Sequence, residues 1–103
     1  MDSIIQDKLK DMIDLCKTRG VRRLALFGSA ATDSFDQFPS DLDLIVEFKP
    51  MSPILHADNY FGLMEDLQRL FGMPIDLIEM GPIRNPFFRQ AVAETQVVLY
   101  EAA

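Results

Sequence analysis

The sequence predicts an α/β (α+β) fold, a small mixed β-sheet covered by helices. Three observations carry this. Short apolar runs of strand length alternate with longer amphipathic stretches in the order helix, strand, strand, helix, strand, helix, strand, the pattern of one mixed sheet with helices packed on it. Glycine or proline closes most of the runs, which keeps the elements short and their turns tight. At 103 residues the chain has the size of one domain, residues 1–103, whose single core hides roughly 60 to 70% of the unfolded surface.

Taken in order, Ser3-Ile4-Ile5-Gln6 has the spacing of a capping box. Ile5, Leu9, Met12, Ile13 and Cys16 then recur at helical intervals as far as Gly20, a C-terminal stop. The spacing predicts one amphipathic helix with Cys16 as a small buried residue. Val21 to Phe27 is a buried strand whose apolar part, Leu24-Ala25-Leu26-Phe27, closes on Gly28-Ser29, with Arg22 and Arg23 in solvent. Ala30 to Ser40 has no periodicity and reads as a loop or a frayed helical turn.

Asp41, Asp43, Ile45 and Glu47 next alternate with Leu42, Leu44, Val46 and Phe48, a strand with one buried face that Pro50 and Pro53 end. Asp58 is the expected cap of a second helix, in which Tyr60, Leu63, Met64, Leu67, Leu70 and Phe71 form an apolar stripe that stops at Gly72. Ile75 to Glu79 is a short strand after Pro74. Asn85-Pro86 supplies an N-cap and N1 proline for a short helix to about Glu94, and Val97 to Tyr100 is the last strand.

Hydrophobic residues make up 49% of the chain and charged residues 25%, the balance of a globular protein with apolar side chains left over for a partner, in a homo- or hetero-oligomer. The formal charge of -6 repels polyanions, so no direct contact with nucleic acid is expected. With neither a signal-type segment nor an apolar run of spanning length, the expectation is a cytoplasmic protein that makes no use of a membrane. Cys16, the only cysteine, excludes an internal disulfide and a cysteine-based zinc site.

Asp41 and Asp43 interrupt an apolar run where a strand buries side chains. Residues two apart on a strand point the same way with Cα atoms roughly 6.5 to 7 Å apart, so both carboxylates address one point above the sheet. Like charges held there call for a cation, and hard oxygen donors without a nearby histidine or cysteine select Mg²⁺ or Mn²⁺. Asp76 interrupts a second strand, Ile75-Asp76-Leu77-Ile78. If that strand neighbours the first, three acids gather, enough for the two-metal arrangement of phosphoryl chemistry. Gly28-Ser29 ends the preceding strand with backbone N–H groups and a hydroxyl open to a triphosphate.

Leu26-Phe27-Gly28-Ser29, then Ser40-Asp41-Leu42-Asp43-Leu44-Ile45-Val46, then Pro74-Ile75-Asp76-Leu77-Ile78 resemble the signature of the DNA polymerase β-like nucleotidyltransferase superfamily. The nearest form is the minimal nucleotidyltransferase (MNT) domain, and the likeness extends over nearly the whole chain. It implies the polymerase β-like fold and a metal-dependent transfer of AMP from ATP to a protein hydroxyl. In that reading Asp41, Asp43 and Asp76 hold Mg²⁺ or Mn²⁺ and form the catalytic set, Asp76 helps deprotonate the acceptor, and Gly28 and Ser29 bind the nucleotide.

The implied partner is a HEPN-type ribonuclease toxin, one of whose tyrosines is the acceptor, with the chain as its antitoxin. The alternative is a non-catalytic antitoxin that neutralises the toxin by binding. The chain departs from the family in two ways: the loop from Ala30 to Ser40 is one residue longer than usual, and it lacks the arginine often found after Gly-Ser. Arg84 and Arg89 are the candidates to replace that charge.

Other features read more plainly. Asp33 and Asp36 are a solvated acidic loop, and His56 is a polar surface residue ahead of a helix. Phe35, Phe38, Phe87 and Phe88 are either core residues or parts of an exposed apolar patch.

Overall fold

The computed structural model of the chain describes residues 3–27, 42–79, 81 and 84–102. Two helices, α1 (Ser3–Asp7) and α2 (Leu9–Thr18), precede strand β1 (Val21–Leu26). Strand β2 (Leu42–Phe48), helix α3 (Pro53–Phe71), strand β3 (Ile75–Glu79), helix α4 (Pro86–Thr95) and strand β4 (Val97–Glu101) follow. The sheet order is β3-β2-β1-β4. β1 runs antiparallel to both β2 and β4, whereas β2 and β3 are parallel, as a strand-helix-strand unit through α3 requires.

Two helix starts differ from expectation. The first helix is broken at Lys8, whose N–H donates to the Ile5 carbonyl at 3.2 Å, a tight i to i−3 bond, before α2 begins. α3 starts at Pro53, with Ser52 as its cap accepting from the Leu55 N–H at 3.3 Å, rather than at Asp58. Ser52-Pro53 is the same cap-proline pair as Asn85-Pro86, whose Asn85 Oδ1 accepts from the N–H groups of Phe87 and Phe88 at 2.9 and 3.2 Å. Gly72 ends α3 in the left-handed conformation at φ 67°, where a glycine costs least.

Strand alternation sorts the side chains. Leu24 and Leu26 of β1, Leu42, Leu44 and Val46 of β2, and Ile75 and Leu77 of β3 face one way and are buried. Met12 and Cys16 of α2 and Leu63, Leu67 and Phe71 of α3 pack with them into one cluster. Burial pushes the Cys16 thiol up to about 12. No helix among the described residues is long and apolar enough to cross a membrane. The opposite face carries Ala25, Asp43, Ile45 and Asp76.

Candidate active site

β2 and β3 pair in parallel with Leu42 opposite Ile75, Asp43 opposite Asp76 and Leu44 opposite Leu77. The Leu42 N–H donates to the Pro74 carbonyl at 3.1 Å and sets this register at the mouth of both strands. Because the apolar residues on either side must face the core, a slip of either strand by one residue would bury its acid and expose the two apolar side chains that flank it. The hydrophobic pattern therefore holds Asp43 and Asp76 side by side on the open face, on strands about 4.8 Å apart. Asp43 is half-buried and Asp76 exposed.

From the other side, the Phe27 N–H donates to the Asp43 carbonyl at 3.2 Å, so Phe27, just past the end of β1, lies beside Asp43. Gly28, Ser29 and Asp41 themselves lie outside the described residues, as do Asp33, Phe35, Asp36 and Phe38. The structure brings together Asp43 and Asp76. Among the described residues no group of three or more metal-ligating side chains occurs. Two adjacent carboxylates are hard oxygen donors, the chemistry that suits a hard divalent cation.

The outer edge of β3 is covered from α3 by side chains to which sequence reasoning gave no such role. Tyr60, read there only as a member of the apolar stripe, donates its hydroxyl to the Leu77 carbonyl at 2.5 Å. Its hydroxyl is held above the ordinary phenol range by burial first, then by the charges of Glu79 and Asp76, so it remains a donor. His56 Nε2 bonds Glu79 Oε1, and the imidazole packs on the Phe48 ring at 5.1 Å. His56 thus sits within α3 rather than ahead of it, and the Ser52-Pro53 pair was the signal for that placement.

α4 crosses the open face. Phe88, half-buried, meets Phe27 edge-on with ring centroids 6.0 Å apart, which removes it from any exposed patch. Phe87 remains 81% exposed. Arg84 is exposed; Arg89 is exposed too and borders a cleft between α4 and the sheet.

The sequence profile of the family described as nucleotidyltransferase domain matches residues 9–99. A relative from Methanocaldococcus jannaschii that carries the provisional name protein adenylyltransferase MJ0128 is 32% identical over 93 residues, which cover 89% of this chain and 91% of that one. A solved structure provisionally named a minimal nucleotidyltransferase superimposes with a TM-score of 0.76 at 26% identity, over 94% of this chain and 95% of its own. The same fold occurs in a structure of a tri-AMPylated Shewanella oneidensis HEPN toxin in complex with MNT antitoxin. That match has a TM-score of 0.63 at 18% identity, over 94% of this chain and 72% of the other.

Proposed function

The chain belongs to the nucleotidyltransferase domain family, as a minimal member of it, and from that premise we propose that it transfers AMP from ATP to a protein hydroxyl. The acceptor in this reading is a tyrosine of a cognate HEPN-type toxin, and the chain acts as its antitoxin. The observation that carries the reading is the registered pair Asp43 and Asp76 on the open face, next to the strand end that leads into Gly28-Ser29. The name of the M. jannaschii relative and the AMP-bearing toxin of the Shewanella complex support it.

In this proposal Asp43 and Asp76, with Asp41, hold Mg²⁺ or Mn²⁺. When bound, such an ion neutralises charge on the α-phosphate and the leaving pyrophosphate. Asp76 accepts the proton of the acceptor hydroxyl. The new bond joins the hydroxyl oxygen to the α-phosphorus, the bond from that phosphorus to the bridging oxygen breaks, and pyrophosphate departs with its electron pair. Gly28 and Ser29 hold the triphosphate in line.

The test is to incubate the protein with ATP, Mg²⁺ and the toxin encoded beside it, then weigh the toxin by mass spectrometry. An added adenylyl group on a tyrosine is expected. An unmodified toxin in the presence of ATP and Mg²⁺ contradicts the proposal.

A binding-only antitoxin is the second reading, favoured by the exposure of Phe87 at 81%. Toxin neutralisation in cells separates the two. If Asp43→Asn still protects and Phe87→Glu does not, binding suffices; if Asp43→Asn fails and Phe87→Glu protects, catalysis is required.

A further inference from the structure

Two bonds reach from α3 to β3, and their spacings match. On the helix His56 and Tyr60 are four residues apart, about 6.0 Å along its axis, and on the strand Glu79 and Leu77 are two apart, about 6.6 Å. α3 runs against β3, so one turn forward on the helix falls on one pleat back on the strand. His56 Nε2 donates to Glu79 Oε1, since an ionised carboxylate only accepts, and the Tyr60 hydroxyl donates to the Leu77 carbonyl at 2.5 Å. The Phe48 ring at the end of β2, 5.1 Å from the imidazole, packs on His56 and orients it.

β3 is an edge strand: among the described residues β2 lies on one side of it and no strand on the other. An edge strand carries unpaired backbone groups and opens more readily than one paired on both sides. The Tyr60 hydroxyl satisfies one of those groups at Leu77, the residue after Asp76. The Leu42 N–H holds the Pro74 carbonyl at 3.1 Å, so bonds at Pro74, Leu77 and Glu79 bracket Asp76.

Asp76 stands opposite Asp43 across the strand pair. An ion shared by the two carboxylates leaves little slack, because Mg²⁺ keeps its oxygen donors at about 2.0 to 2.1 Å in near-ideal octahedral geometry. A sideways shift of β3 would carry Asp76 away from Asp43, whose own strand is paired on both sides.

We infer that His56 and Tyr60 are positioning residues for Asp76: their bonds to Glu79 and Leu77 set the edge strand so that its carboxylate shares a divalent ion with Asp43. The inference rests on the nucleotidyltransferase reading and deepens it. Both side chains act through β3 and not on the nucleotide.

The experiment has two readouts on the full chain: titration with Mn²⁺ alone, followed by electron paramagnetic resonance, and AMP transfer to the toxin at saturating Mg²⁺, resolved into kcat and KM for ATP. Tyr60→Phe removes only the hydroxyl, His56→Ala removes the imidazole, and His56→Gln keeps a donor for Glu79. Tyr60→Phe and His56→Ala are each expected to weaken Mn²⁺ about tenfold, the low end for losing a partner that orients a metal ligand, and His56→Gln to stay within about twofold of wild type. In Tyr60→Phe and His56→Ala kcat should fall about tenfold with KM for ATP within about twofold, less than the roughly hundredfold that a 1 Å misplacement costs. Circular dichroism confirms the fold of each variant. A role in stability alone would lower the unfolding midpoint and leave both readouts of the folded protein unchanged.

Wild-type Mn²⁺ affinity and kcat in Tyr60→Phe and His56→Ala overturn the positioning role, while transfer by the wild type leaves the nucleotidyltransferase reading standing. A KM for ATP that rises as far as kcat falls overturns it as well, since the residues would then serve nucleotide binding. A His56→Gln protein as impaired as His56→Ala overturns the part given to the Glu79 bond. A wild type that neither binds Mn²⁺ nor transfers AMP overturns the nucleotidyltransferase reading and this inference with it.

Discussion

The guanidinium of Arg19 lies across α3 over Gly62, close enough that a β-carbon there would sit 2.3 to 2.7 Å from its terminal atoms. In that position Arg19 Nε donates to Asp66 Oδ2 at 3.0 Å, which ties the end of α2 to α3. A glycine inside a helix costs roughly 0.5 to 1 kcal/mol relative to alanine. Here the missing side chain makes room for the ion pair.

Gly62→Ala is therefore expected to stabilise an Arg19→Ala protein by about 0.5 to 1 kcal/mol in urea unfolding, the helix gain alone. In wild type the same substitution displaces Arg19, so the gain shrinks or changes sign. Equal effects in both backgrounds would show that Gly62 and Arg19 are uncoupled.

Ser52 caps α3, so Ser52→Ala should cost about 1 kcal/mol of stability. Asp58, now inside the helix and exposed, should change stability by less than about 0.5 kcal/mol when replaced by alanine. The reverse ranking in chemical denaturation would put the helix start back at Asp58.

Cys16 is fully buried and its thiol is pushed up to about 12. The unfolded chain, with an ordinary thiol, gives up this proton at lower pH than the folded protein does. The stabilising contribution is thus complete below about pH 9 and is lost as pH rises toward 12. Comparing wild type with Cys16→Ala, the difference in stability should shrink over that window and be flat from pH 6 to 8. A thiol reagent at pH 8 should label the folded protein only as fast as it opens.

Tyr60→Phe leaves the Leu77 carbonyl at the outer edge of β3 without its donor. A loss of about 1 kcal/mol is expected, together with faster hydrogen exchange in β3 than in β1. Unchanged exchange in β3 would mean that the Tyr60 hydroxyl does not hold that edge.

The four strands and the second half of the fold were legible because their signals are local. Alternation marked β2, Pro74 and Glu79 bracketed β3, and Asn85-Pro86 opened α4. The break at Lys8 left no mark, since the apolar spacing runs through it and the interruption is one residue of backbone geometry. The start of α3 was missed because two prolines suggested a strand end, although Ser52-Pro53 also spells a helix cap.

For the site, alternation placed Asp43 on the open face. The pairing of Asp43 with Asp76 depends on which strands become neighbours, and that is decided by packing between residues far apart in sequence. The Tyr60 contact with Leu77, the His56 bond to Glu79 and the cleft under α4 arise from the same long-range packing, so no local pattern announced them.

The central claim is that the carboxylates brought together on β2 and β3 carry AMP transfer. The most direct measurement is the rate of label transfer from α-labelled ATP to the toxin, with Mg²⁺, for wild type, Asp43→Asn and Asp76→Asn proteins of confirmed fold. Each substitution is predicted to lower the rate by roughly a hundredfold or more, the usual scale for losing a group that moves a proton or neutralises charge at the reacting phosphate. Transfer at wild-type rates by either variant would contradict the claim.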